Sequence, residues 1–173
     1  LIENDGNNFI YAPLVNYADH TFGVCKKMLD DKNAIMGLGD GGAHVGFILD
    51  AGYPTWLISY WSVKQKAYSM EETIRRLTSD TANAAGLNDR GLLKVGLKAD
   101  INIIDWENVG SSDPFMTQDL PAGGKRLMQH TQGYVSTIVS GKVTYKNGEF
   151  TKERPGTVVK SVKDDEKTLE FTN

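Results

Sequence analysis

Asp40 and His44 stand four residues apart in the run Gly37-Leu38-Gly39-Asp40-Gly41-Gly42-Ala43-His44. A carboxylate placed there can hold a metal ion or take a proton from water, and a nearby imidazole can serve the substrate. Gly41 and Gly42 let the backbone turn sharply and approach a ligand closely, which makes them candidate substrate-binding positions. The turn is expected to leave Asp40 and His44 directed into one cavity. Each residue also has a plainer reading. An aspartate before Gly-Gly is a common turn former, and His44 could simply bond to backbone in a crowded loop.

The remaining reactive groups are scattered. His20 reads as a cap or surface residue and His130 as a structural or exposed loop residue. Three dispersed histidines do not make a zinc site, which needs three or four ligands with outer support. Cys25 falls on the apolar face of a helical segment, as a buried structural thiol would. The Gly41-Gly42 pair lacks the spacing of a phosphate loop, and no nucleophile-elbow motif accompanies any serine.

The elements that must position Asp40 follow from patterning. Residues 1–8 are polar and loose, and 9–17 read as an irregular buried segment interrupted by Pro13. Residues 21–31 have helical spacing, with Phe22, Cys25, Met28 and Leu29 on one face. The apolar run 34–38 has strand length. Residues 45–61 are dense in bulky apolar groups and predict a buried helix, reached through a loop at Gly52-Tyr53-Pro54. Trp56, Tyr60 and Trp61 in that run fit core packing better than an acyl pocket. Ser69 can cap a helix from Met70 with Glu72 at the capping-box position, and Ile74, Leu77 and Thr78 would face inward. A second short helix, 80–85, should end at Gly86.

Beyond Leu87 the texture becomes β. Residues 91–94 suggest a short strand, 94–98 a turn and 99–106 a largely buried strand. Residues 108–125 are loop-rich, with Pro114, Pro121 and Gly123-Gly124, and Asp89-Arg90 reads as a surface or hinge pair. Alternation over 134–150, with turns at Gly141 and Asn147-Gly148, predicts hairpins. The tail from Thr151 is charged and peripheral.

Composition narrows the class. The 173 residues carry 40% hydrophobic and 24% charged side chains, a globular mix. A net charge of -3 and pI near 5.6 argue against nucleic-acid binding. One cysteine excludes an internal disulfide and fits a reducing, cytoplasmic setting. No apolar run approaches the roughly 20 residues of a membrane span, so no membrane partner is expected.

Five stretches together resemble the metal-dependent amidohydrolase superfamily, and within it the N-acyl-D-amino-acid deacylase (D-aminoacylase-like) branch. Residues 37–46 resemble the end of that family's last barrel strand, where the branch usually has Ser-Asp-Gly-Gly-Ala-His; Gly39 stands in place of the serine. Residues 77–96 and 98–105 are similar to the passage from the final helix into a C-terminal sheet. Asp119-Leu120-Pro121-Ala122-Gly123-Gly124-Lys125-Arg126 and Thr137-Ile138-Val139-Ser140-Gly141 are similar to the branch's tail.

The resemblance implies an α/β fold: the C-terminal part of a (β/α)8 metal-dependent hydrolase barrel over 1–87, then part of a small composite β-sandwich and tail over 88–173. A complete barrel needs about 250 residues, so the chain is expected to be the C-terminal portion of a larger enzyme. The His-x-His pair, the bridging ligand and two further histidines would lie upstream. The implied cofactor is zinc, one or two ions in the intact enzyme and not tightly held by this portion alone. Asp40 would be metal ligand and catalytic base, and His44 would contact the substrate carboxylate. The implied reaction is hydrolysis of a non-peptide amide, with an N-acyl-D-amino acid as the substrate the branch implies. A cyclic-amide hydrolase of dihydroorotase or hydantoinase type is one alternative. A non-catalytic module, structural or self-associating as a homo-oligomer, is the other, because an exposed strand edge invites pairing.

Overall fold

A computed structural model describes residues 16–17, 19–37, 39–42 and 44–159. The segments expected over 1–8 and most of 9–17 lie outside the described residues, as do Leu38, Ala43 and the tail from 160. The chain divides into two compact units, Leu1–Met36 and Gly37–Asn173.

The first unit contains helix α1, Gly23–Leu29. Asp19 organises its approach: its carboxylate accepts from the Thr21 backbone and hydroxyl, and the Thr21 hydroxyl accepts from Gly23 N at 3.2 Å. These bonds hold the Asp19 carboxyl below its ordinary pKa. The helix forms where its spacing predicts, but none of its residues is buried. Cys25 is half-buried rather than buried, its thiol 3.6 Å from the Asn16 carbonyl. Residues 34–37 form no strand. An apolar run becomes a strand only beside a hydrogen-bonding neighbour, and no ladder among the described residues includes it.

The second unit is mixed α/β. A 3₁₀ turn, Asp50–Gly52, leads into helix α2, Tyr53–Trp56, with Pro54 in its first turn. Gly52-Tyr53-Pro54 is thus a helix entry and not the expected loop, because proline is pre-organised for that position. From Leu57 to Lys64 the helix widens to π geometry, and Gln65 N donates to Tyr60 O at 2.8 Å. Leu57, Ile58 and Trp61 are buried here and form the centre of the core. Trp56 stacks on Tyr60 at 4.7 Å and meets Trp61 edge-on at 5.8 Å, so this aromatic run packs on itself.

Helix α3, Met70–Leu77, starts at Ser69, whose hydroxyl accepts from Glu72 N at 3.1 Å. The reciprocal half of the capping box differs from expectation. Glu72 pairs with Arg76 at 2.8 Å, while Ser69 bonds to Glu71 and helps hold that carboxyl below its ordinary pKa, after Glu71's own backbone N–H. Thr73, not Ile74, is the fully buried residue, because its hydroxyl is satisfied by Ser69 O at 2.8 Å. Helix α4, Ser79–Ala84, ends as expected at Gly86. Gly86 N and Leu87 N donate to the carbonyls of Asn83 and Ala82, closing a Schellman motif.

Residues 91–94 form no strand, and Leu92, Leu93 and Val95 are exposed. Strand β1, Ile101–Ile104, is shorter and less buried than predicted, with Ile103 open to solvent. Strands β2 (Gly110–Ser111) and β5 (Thr131–Gln132) pair, as do β3 (Phe115–Leu120) and β4 (Gly124–Met128), all antiparallel. The β3–β4 hairpin replaces the loop expected over 108–125. Strands β6 (Tyr134–Val139), β7 (Lys142–Lys146) and β8 (Glu149–Phe150) complete a four-stranded antiparallel sheet of order β1-β6-β7-β8. Its last turn is the predicted one: Asn147 and Gly148 both have positive φ, 50° and 82°.

Arg90 ties the helical part to this sheet. It forks onto Asp89 at 2.8 and 2.9 Å and reaches Asp100 at 3.4 Å, while Asp100 also accepts from Ser140 N in the β6–β7 turn.

Two stability predictions follow from these contacts. Leu57→Ala should cost about 2–5 kcal/mol and Ser69→Ala about 1 kcal/mol, read from urea denaturation midpoints. Arg90 and Arg126 hold Asp89 and Asp119 below the ordinary aspartate pKa by hydrogen bonding. Their stabilisation is therefore fully present above roughly pH 4 and is lost as pH falls through the lowered folded values. Thermal midpoints measured from pH 7 to 2 should drop in that acid window, and less so in Arg126→Gln.

Candidate active-site corner

The Asp40 turn is built by close backbone packing. A side chain at Gly39 would collide with the carbonyl of Asp50. One at Gly41 would place its Cβ 2.7 Å from the Ala51 Cβ and 3.0 Å from its Cα. Gly42 adopts a φ of 95°, which an L side chain rarely accepts. The three glycines thus let residues 39–42 lie along the 3₁₀ turn that opens α2, with Asp40 between two close contacts. Asp40, Gly41 and Gly42 are exposed.

His44 begins a second tight turn. Its φ is 45°, its carbonyl accepts from Phe47 N at 2.9 Å and Ile48 N at 3.2 Å, and its ring stacks on Phe47 at 5.1 Å and 23°. The next residue is tied to the sheet region: Leu127 N in β4 donates to Val45 O at 2.7 Å. A bond between Thr55 Oγ1 and Tyr134 Oη, 2.9 Å, joins α2 to β6 nearby.

The structure places Asp40 and His44 in two successive exposed turns, and no hydrogen bond or ion pair joins them among the described residues. No described residue forms an ion pair with either. Among the described residues, no three His, Cys, Asp or Glu side chains converge on a point that could hold a metal ion. A metal centre needs three or four ligands, so the described donors do not by themselves fit one. His20 is exposed against Tyr17. His130 is exposed, its ring tilted against Phe115 at 4.8 Å, with its backbone bonded to Ser112. Both fit the bland readings given to them.

Sequence reasoning overlooked an open groove of about 640 Å³ on the face of the four-stranded sheet. Asn102, Thr137 and Tyr145 form its floor as one cross-strand row, and Thr55, His130 and Tyr134 stand at its side. The alternation of β6 and β7 carried the signal for that row. Neither Asp40 nor His44 lines it.

Comparison with known proteins decides the family. Residues 14–145 match the model of the Amidohydrolase family. The chain belongs to this family. That span takes in the Asp40 turn, helices α1 to α4 and the strands through β6. The resemblance to the metal-dependent amidohydrolase superfamily is therefore established. Among relatives, a dihydroorotase of Lactobacillus acidophilus is 33% identical over 89 residues, covering 49% of this chain and 20% of its own length. An N-acyl-D-aspartate deacylase of Alcaligenes xylosoxydans xylosoxydans is 30% identical over 96 residues, covering 56% of this chain and 18% of its own. The chain thus spans about a fifth of the length of the curated relatives it matches. No solved structure matches it. No described helix is long and apolar enough to cross a membrane.

Gly39→Ser, which installs the residue usual in the resembling branch, should destabilise this chain by about 1–3 kcal/mol through overpacking against Asp50. Denaturation of the variant beside the parent measures it; an unchanged midpoint would mean that the 3₁₀ turn yields freely.

Proposed function

We propose that the chain supplies the Asp40 corner of an amidohydrolase that cleaves a non-peptide C–N amide bond, with N-acyl-D-amino acids as the substrate class. The observation that carries this reading is the Asp40 turn: an exposed carboxylate set between two backbone-tight glycines, inside a segment that matches the family model. An exposed carboxylate on a rigid turn can accept a proton from an attacking water and deliver it to the leaving nitrogen. His44 would bind the substrate carboxylate, and Gly41 and Gly42 would let substrate approach the backbone. The N-acyl-D-aspartate deacylase relative supports the acyclic substrate class.

The rest of the site would come from family segments outside the region shared with the relatives. In this reading residues 1–87 include the last strand and helices of a (β/α)8 barrel, and 88–173 form part of a sandwich and its tail. The one or two zinc ions implied by the resemblance would need donors beyond the described residues, with Asp40 as one ligand.

Two dihydroorotase relatives, each 33% identical over 89 residues, favour cyclic amides as a second reading. The exposure of Leu93 (84%) and Val95 (100%) favours a third, a self-associating structural module. A monomer by light scattering after size exclusion would count against that module.

The decisive experiment joins this chain, in cis or in trans, to the remaining family segments and assays N-acyl-D-amino acids and cyclic amides with zinc. Asp40→Asn should lower kcat by about 10²–10⁴-fold, the usual worth of a positioned general base. Full activity in that variant would overturn the role given to Asp40, and the preferred substrate separates the first two readings.

A further inference from the structure

We propose that Phe47 is a positioning residue, holding the His44 imidazole in the plane from which it meets a carboxylate-bearing substrate. The proposal deepens the reading of His44 as a substrate contact and rests on it.

Phe47 is 72% exposed, so its ring contributes little to the core. Its ring contact among the described residues is the imidazole three positions earlier, at 5.1 Å and 23°. That stack is built by the backbone and not by chance proximity. His44 takes the left-handed conformation, with φ of 45°, a region that a side-chain-bearing residue enters at a cost. Its carbonyl then accepts from both Phe47 N and Ile48 N, closing a turn that sets residues 44 and 47 over one another. The turn is anchored on one side by Val45 O to Leu127 N at 2.7 Å. On the other side lie the Gly39 and Gly41 contacts with Asp50 and Ala51. A freely rotating imidazole would have to lose that freedom when substrate binds. An imidazole stacked on a phenyl ring carried by the same closed turn has given up part of it beforehand.

A conservative pair of variants tests this. Phe47→Leu keeps an apolar side chain but removes the ring, while Phe47→Tyr keeps the ring. In the 173-residue chain, the His44 ring C–H proton signals, assigned by loss in His44→Gln, should move away from their ring-shifted position in Phe47→Leu and stay in Phe47→Tyr. In the enzyme joined to its remaining segments, Phe47→Leu should raise KM about three- to tenfold, the range expected of one aromatic pair. The change in kcat should be smaller, and Phe47→Tyr should restore KM. Unmoved His44 signals in Phe47→Leu would overturn the proposal and leave the Asp40 reading standing. A loss of stability or of association with the other segments, without a KM change, would also overturn it, since Phe47 would then be a packing residue. Full activity in Asp40→Asn together with the expected Phe47 pattern would defeat only the role given to Asp40.

Discussion

At Gly39 and Gly41 the chain runs so close to the Asp50 carbonyl and to Ala51 that no side chain can stand between them. This backbone-on-backbone contact fixes where Asp40 sits relative to the helix that follows. Proline at the start of α2 and the buried Leu57, Ile58 and Trp61 then fix that helix. From there the bonds Thr55–Tyr134 and Val45–Leu127 connect the helix and the His44 turn to the strands. A shift at residues 39–41 would be felt at Asp40 first, then along this series of contacts, because closely packed structure transmits displacement instead of absorbing it.

Family membership and site completeness are separate questions in this chain. The matched span of 14–145 carries the turn, the helices and much of the sheet, while a working amide hydrolase needs several groups converging on one reacting carbon. The described residues show one exposed acid and one exposed imidazole in successive turns, and no convergence of several such groups. The Asp40 turn is closely packed at Gly39 and Gly41 and open to solvent at Asp40.

What could be read from the sequence was mostly local chemistry. The Ser69 cap, the Gly86 stop and the Asn147-Gly148 turn were legible because each depends on a few adjacent residues whose conformational preferences are intrinsic. The described part of the run 34–38, residues 34–37, and the run 91–94 misled because an apolar run becomes a strand only with a partner, and a partner is not a local property. The β3–β4 hairpin was hidden for the converse reason: Pro114, Pro121 and Gly123-Gly124 dominate the reading, while the pairing of Phe115 with Met128 is visible only in three dimensions. At the candidate site, the turn and its glycines were legible. The close approach to Asp50, which disfavours the branch's usual serine, was not, since it depends on a contact eleven residues away. The widening of α2 into π geometry had no evident sequence signal.

The end of the sheet has a consequence for how the chain can be extended. Strand β8 is only two residues long, and directly after it Thr151 places its hydroxyl on the carbonyls of Val143 and Thr144 and its backbone N–H on Thr144. A side chain thereby occupies acceptors that a further strand would otherwise use. Growth of the ladder is terminated by a hydroxyl stopper and a change of course, with Pro155 close behind. The stop is reinforced by the charges that follow it: Glu153 pairs with Lys142 of β7 at 3.3 Å and Arg154 lies over the Phe150 ring, so the margin of the sheet is closed by side chains and not by another strand.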